Sequence, residues 1–448
     1  MTATSLPGSP MNKENYLPDV KAQYEQLPYP PVNPLDEHKR LQRTWLEDLP
    51  MINHYCFAGR QRFDGGFRVL VAGGGTGDAT IFLAEQLRAT NAEIVHLDLS
   101  AASIKLAQER AAIRKLTNIR WVQDSILNIP ELGLGRFDYI NCCGVLHHLA
   151  DPDAGLLALK SVLKDEGAIA LMVYGAIGRT GVYHMQQLLR LANAGCSEQE
   201  KIGQAKEVLQ ALPGGNWYGR AGDLYGDNDT DAGIFDSLLH TQDRAYTVEE
   251  LHAWLGDGHG FTLELSDVNR GRFPYLPELT LGLEARRLRA RLPAMSERAR
   301  HAMSELLMGD ITRHTLYLTP GRQARAPYGD AGYIPFYFHE PLDPRGLEQL
   351  FAPKNGQPTL LRHPHLGMSA AVDAGRYSGQ ILGLIDGIRS FGEIFDLIRA
   401  RTRDGPAPDN AALFADFEAT YWLLNAIERL LLRHVSCRVG WAGSPPTR

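Results

Sequence analysis

The stretch from Phe67 to Leu87 constrains this chain most. FRVLVAGGGTGDATIFLAEQL passes from an unbroken apolar run, through Gly73, Gly74, Gly75 and Gly77, into a helical pattern. An apolar run of that length reads as a buried strand. The glycines let the backbone turn sharply and let its N–H groups approach a ligand closely, with unpaired N–H groups of a helix start behind them. A strand, a glycine loop and a helix form one unit of a layered α/β fold, so the question is whether the unit repeats.

It does. EIVHLDL reads as a second strand, and SAASIKLAQERAAI as a second helix opened by Ser100 as N-cap. IRWVQD, FDYINCCGVL and AIALMVYG read as further strands, the last preceded by the helix PDAGLLALKSVL. Short apolar strands alternating with amphipathic helices indicate a parallel sheet covered on both faces. After Tyr174 the alternation breaks, and residues 176–245 read as an insertion over the active face. It resumes with TVEELHAWLGDG, where Thr247 and Glu250 have capping-box spacing, then FTLELSDV and HTLYLTP.

Residues 1–65 read as an N-terminal arm whose first 15 or so residues form a flexible tail. Pro28, Pro30, Pro31 and Pro34 hold the next segment extended, and TWLEDLPMINHYCF has a helical pattern. With Tyr24 and Tyr29 in its proline frame, the arm fits a lid over the site somewhat better than a structural strap. Residues 321–448 read as a mainly helical accessory domain, with a helix pair about Asp386-Gly387 and one long helix over FADFEATYWLLNAIERLLLRHV. A buttress or a homodimer contact is the expected role.

Composition narrows the partners. The net charge is -6, and no stretch rich in Lys and Arg is interleaved with aromatics, which argues against a nucleic-acid partner. No apolar run approaches the roughly 18 residues of a membrane span, and the first residues lack a signal core. The 5 cysteines have irregular spacing, which points to reduced thiols and a cytoplasmic protein rather than disulfides or zinc. RHPHLG and His339 lack a third ligand at a convincing spacing, so no metal is expected.

Asp98 closes the second strand, where a carboxylate can accept both hydroxyls of an adenosine ribose. That fits a nicotinamide-dependent oxidoreductase equally well. The glycine spacing, however, is G-x-G-x-G rather than G-x-G-x-x-G. Asp124 ends the third strand and is followed by Ser125 and Ile126, suited to an adenine amino group and ring face, and the fourth strand ends in CCGVLHHLADP. Together these blocks resemble the class I S-adenosylmethionine (SAM)-dependent methyltransferases of the ubiquinone/menaquinone-biosynthesis type. The resemblance covers about residues 66–175, with continuation to 320.

The resemblance implies a Rossmann-like α/β fold, a seven-stranded sheet with helices on both faces. It implies SAM at the carboxyl ends of the first strands and S-adenosylhomocysteine as product. Gly73, Gly75 and Gly77 would pass the methionine moiety, and Asp98 with Leu99 beside it would hold the ribose. Asp124, Ser125 and Ile126 would frame the adenine, and Cys143 to His147 would flank the cofactor. One departure stands out. The family often carries an acid two residues before the first glycine, but this chain has Val71, so the SAM ammonium must find another acceptor.

Methyl transfer from a sulfonium is a direct displacement, so the protein mainly aligns the reacting atoms and no diagnostic catalytic motif is required. Candidate groups are His147 or His148 as base after the fourth strand and the Tyr174 hydroxyl at the end of the fifth. His240, Asp243, Arg244 and Tyr246 could orient a polar acceptor, as could Arg179, Tyr183 and His184. The expected acceptor is a small or modest-sized metabolite. The alternatives are a peptide or protein docked on the C-terminal unit, and a SAM-binding regulator without catalysis.

Overall fold

A computed structural model describes residues 24–437, apart from 226–229, 241, 269, 340–342, 353–356, 364–367 and 403–405. The N-terminal tail and most of the RHPHLG stretch lie outside the described residues.

The central sheet is built from β1 (Arg68–Ala72), β2 (Glu93–Asp98), β3 (Ile119–Gln123), β4 (Phe137–Cys143), β5 (Leu163–Gly175), β6 (Ala245–Tyr246), β7 (Phe261–Ser266) and β8 (Arg313–Pro320). Its order is β3-β2-β1-β4-β5-β8-β7, with the two-residue β6 alongside the end of β5. All pairings are parallel except those of β8, which runs antiparallel to both β5 and β7. The order places β1 and β4 side by side at the middle, so a ligand crevice opens where the connections leaving β1 and β4 run in opposite directions.

Side-chain alternation along β1 divides the core. Leu70 and Ala72 join the face covered by Leu156 and Leu159 of the helix Pro152–Ser161 and by Val248, Leu251 and Leu255. Val69 and Val71 join the opposite face, against Leu49, Ile52 and Cys56 of the helix Leu49–Cys56 and Leu83 of the helix Asp78–Gln86. This two-sided burial is why the strands read as continuous apolar runs. The expected caps form: Ser100 Oγ accepts the Ser103 N–H at 3.1 Å, and Thr247 and Glu250 cap each other reciprocally.

Between β5 and β6 the chain forms helices Thr180–Ala192 and Glu198–Gln210, then a helical turn through Leu239. Val182, Met185, Leu189, Ala205, Ile234 and Leu238 give this segment its own small core.

Beyond β8 the chain is mostly helical, with two short antiparallel strand pairs added. β9 (Tyr333–Tyr337) pairs β12 (Leu430–His434), and β10 (Thr359–His363) pairs β11 (Met368–Val372). The helices Ser378–Leu384 and Phe391–Arg401 flank a turn at Gly387, whose φ is 72°. The long helix expected through LLLRH stops at Ala426. Glu428 then takes a φ of 52°, and the fully buried Leu430, Leu431 and Leu432 become the strand β12. A helix there would leave β9 unpaired, so strand pairing overrides local helical propensity.

Candidate active site

The carboxyl ends of β1, β2, β4 and β5 open into a cavity of about 1410 Å³. Single small-molecule sites typically span about 300–1000 Å³, so this one has room for two ligands side by side.

One half is built on backbone geometry. Gly73, Gly75 and Gly77 all have positive φ, at 75°, 51° and 102°. A Cβ on Gly75 would lie 2.8 Å from the Tyr29 carbonyl oxygen, because the arm crosses directly over the loop. Gly77 sits off the cavity wall. A Cβ there would meet the Ala107 Cβ at 2.8 Å, so this glycine lets two helices close up. Asp98 reaches back to the loop, its Oδ2 accepting the Gly75 N–H at 2.7 Å and its Oδ1 the Ser100 N–H at 2.8 Å. Burial raises its carboxyl above the usual range against the pull of those N–H donors. Asp124 Oδ1 accepts from the Ser125 N–H and from Asn128, each at 2.7 Å. Gly73, Gly75, Asp98, Leu99, Asp124, Ser125, Ile126 and Cys143 all line the cavity.

The arm is clamped onto this half. Glu25 accepts the Ala101 and Ala102 N–H groups at the start of the helix Ala101–Arg114, at 2.7 and 3.2 Å. Thr76 Oγ1 donates to the Pro30 carbonyl at 2.8 Å. The buried Glu37 carboxylate is shared by Arg110, at 2.8 Å, and Arg114. From the C-terminal unit, Glu428 accepts from the Trp45 indole at 2.9 Å and from Ser266 at 2.7 Å, and His339 stacks on Trp45 at 4.2 Å. Both Trp45 and His339 line the cavity.

The other half is polar side chains. Tyr174, at the end of β5, donates to Asp236 Oδ2 at 3.1 Å, and Tyr24 donates to Asp236 Oδ1 at 3.0 Å. Burial raises the Asp236 carboxyl and, with the neighbouring acid, both phenols. The Arg179 guanidinium lies over the Tyr174 ring at 3.6 Å and approaches Asp243 at 3.7 Å. His148 lines the cavity, and its Nδ1 faces the Gln242 carbonyl at 2.9 Å. That contact places the proton on Nδ1 and leaves Nε2 with a lone pair. Burial lowers the His148 pKa to about 4.

The sequence candidates are therefore divided. Tyr174 is on the wall, whereas the buried His147 and His240 lie behind it and the exposed Arg244 does not line it. His147 is fully buried, packs on the Tyr174 ring at 4.0 Å, and among the described residues neither ring nitrogen has a hydrogen-bond partner. His240 packs on His148 at 4.0 Å, its pKa lowered to about 3 by burial and then by His148. Arg244 lies over the Tyr246 ring at 4.7 Å, and its backbone N–H donates to the His147 carbonyl at 3.0 Å.

His148, Asp236 and His240 bring donor atoms within 4.8 Å of one another, a grouping of metal-ligand type that sequence spacing did not reveal. The Gln242 N–H occupies the His240 Nδ1 lone pair at 3.1 Å. The neutral ring then carries its proton on Nε2 and offers an N–H, not a lone pair, to the group.

Sequence reasoning missed Asp236 and Glu47. Asp236 lies within IFDSLL, where a lone acid on an apolar helical face was the available signal. Glu47 lies in the arm, among Leu46, Leu49 and Ile52.

Gly73 and Gly75 leave the loop backbone bare of side chains on the cavity wall, and a carboxylate stands at the end of β2 with another acid at the end of β3. Both match what an adenosyl amino acid requires. Among the described residues no helix is long and apolar enough to cross a membrane.

Comparison with known proteins gives the same reading. Residues 70–169 match the family model for a methyltransferase domain. The uncharacterized protein syc1184_c of Synechococcus sp. is 34% identical over 305 residues, which are 67% of this chain and 70% of that protein. The ubiquinone biosynthesis O-methyltransferase of Albidiferax ferrireducens is 27% identical over 135 residues, 30% of this chain and 47% of the relative. Its counterpart in Acinetobacter baylyi is 21% identical over 211 residues, 45% of this chain and 82% of the relative. The structure of PKMT2 from Rickettsia typhi in complex with AdoHcy superposes with a TM-score of 0.59. At 15% identity over 87% of this chain and 76% of that one, it speaks to the fold. The chain belongs to the class I SAM-dependent methyltransferases, and it is an enzyme that uses SAM.

Proposed function

We propose that the protein methylates a nucleophilic atom of a small or modest-sized metabolite, seated between the cofactor pocket and the group Tyr24, Tyr174, Asp236 and Arg179. The observation that carries this reading is the Tyr24–Asp236–Tyr174 network on the cavity wall. The arm, β5 and the segment before β6 each supply one member. Gly73 and Gly75 would hold the methionine portion, Asp98 the ribose, and Asp124, Ser125 and Ile126 the adenine. Bound SAM supplies the methyl group and its own thioether leaving group.

The protein's part is positioning and proton transfer. As the nucleophile attacks, Tyr174 Oη takes its proton and passes its own to Asp236 Oδ2. Burial favours that transfer, since it raises the proton affinity of the carboxylate. His147 supports the Tyr174 ring and His240 supports His148, so both act as positioning residues. Arg244 acts through its backbone contact to His147. Arg179 offers a guanidinium to a carboxylate or phosphate on the acceptor.

The test is incubation of the purified protein with methyl-labelled SAM and a lysate of its source organism, split by size. Label in the small-molecule fraction supports this reading. Label confined to the macromolecular fraction overturns it in favour of a peptide or protein acceptor.

A further inference from the structure

Val71 stands where an acid would be expected to meet the SAM ammonium, yet a carboxylate reaches the same place from elsewhere in the chain. Val71 of β1 is the register partner of Asn141 in the parallel strand β4, so their side chains share one face of the sheet. Asn141 Nδ2 donates to Glu47 Oε1, and Cys143 Sγ lies 3.8 Å from the same oxygen. Glu47 comes from the arm, just before the helix Leu49–Cys56, and lines the cavity together with Val71, Gly73, Asn141 and Cys143.

Glu47 is 3% exposed, and no ion pair to it occurs among the described residues. The nearby guanidinium, Arg43, is paired with Asp48 at 2.6 Å. A buried carboxylate without a cation is costly, and burial raises its pKa against the hydrogen bond from Asn141. Such a group is suited to a ligand that brings its own positive charge. It stands at the methionine end of the cavity, opposite Asp98 and Asp124.

We propose that Glu47 receives the α-ammonium of SAM, so that an acid from the N-terminal arm replaces the one missing at position 71. This rests on the placement of the cofactor over Gly73 and Asp98. The acid then comes with the segment that also covers the loop. The assignment predicts that the arm contributes to recognition of the amino-acid end of the cofactor as well as to enclosure.

The experiment is calorimetry on the full-length protein with S-adenosylhomocysteine, its α-deamino analogue and 5′-methylthioadenosine, which lacks the amino-acid portion. Wild type should bind the deamino analogue at least tenfold more weakly than S-adenosylhomocysteine. Glu47→Gln should lose about tenfold or more for S-adenosylhomocysteine and leave methylthioadenosine unchanged, with Glu47→Asp recovering part of the loss. Equal affinity of wild type for the deamino and parent compounds overturns the proposal, and needs no variant to fold. An equal loss for all three ligands in Glu47→Gln also overturns it, assigning Glu47 to structure. Asp98→Ala separates the two readings. If it weakens every ligand while Glu47→Gln weakens none, the ammonium assignment alone fails. If neither variant matters, the cofactor placement fails with it.

Discussion

Asp98 carries the sharpest quantitative test of the cofactor pocket. Its two oxygens already accept the Gly75 and Ser100 N–H groups at 2.7 and 2.8 Å. Each carboxylate oxygen has two lone-pair sites, so one remains on each for a ribose hydroxyl. Hydrogen bonds to a charged group contribute about 1.5–3 kcal/mol each, and two on an already shared carboxylate fall short of additivity. A coupling of about 2–3 kcal/mol follows, or roughly 30- to 150-fold in affinity. Asp98→Ala alone mixes two effects, since it also frees the Gly75 N–H and loosens the loop. It should weaken S-adenosylhomocysteine at least tenfold, about 1.4 kcal/mol. A double cycle against the 2′,3′-dideoxy analogue, measured by calorimetry, isolates the ribose contact. Wild type should discriminate strongly between the two ligands and Asp98→Ala hardly at all. If the variant weakens both ligands equally, with coupling below about 0.5 kcal/mol, then Asp98 serves the loop and not the ribose.

Three further outcomes are expected. Asp236→Asn should lower kcat by about 100-fold, in the range of a lost general base, with little change in SAM affinity; unchanged kcat in a steady-state methylation assay would refute the proton route through Tyr174. Glu37→Gln removes the acid that Arg110 and Arg114 share at the arm clamp, although Asp78 still holds Arg110 and Glu85 lies 3.8 Å from Arg114. Removing one partner of a buried pair should cost about 3 kcal/mol, read as a lower denaturant midpoint, and a loss below about 1 kcal/mol would mean the clamp contributes little. Burial pushes the Glu428 carboxyl from 4.5 up to about 7, so the folded state holds this proton more tightly than the unfolded state. Its contribution is complete below pH 4.5 and is lost as pH rises through 7. At about 1.4 kcal/mol per pH unit, wild type should lose about 3 kcal/mol more than Glu428→Gln over that window, and parallel stability curves for the two proteins would contradict it.

The proposed cofactor half and the proposed acceptor half of the cavity differ in how far they could be read from sequence, and the reason is physical. The glycine loop, Asp98 and Asp124 follow their own strands directly, so a local apolar run fixes where each must emerge. The same holds for the central strands, whose burial on both faces makes them legible one at a time. Asp236 meets Tyr24 across 212 residues, Glu47 meets Asn141 across 94, and Glu428 meets Trp45 across 383. No periodicity links such pairs, and each partner read by itself is an ordinary polar residue in an arm, a helix or a turn. Residues picked because they lie near the sheet edge in sequence, His147, His240 and Arg244, came out off the wall. LLLRH misled for a related reason: its leucines suit a helix, but the unpaired β9 decides the matter. The two halves also differ in what can vary. In the function proposed above, the loop and Asp98 answer to a ligand shared across the family, whereas the acceptor side is assembled from the arm and the segment between β5 and β6. Changes in acceptor preference among relatives should therefore concentrate at Tyr24, Arg179 and Asp236. They can occur there without disturbing the strands that carry the glycine loop and Asp98, because none of the three lies on a strand of the central sheet.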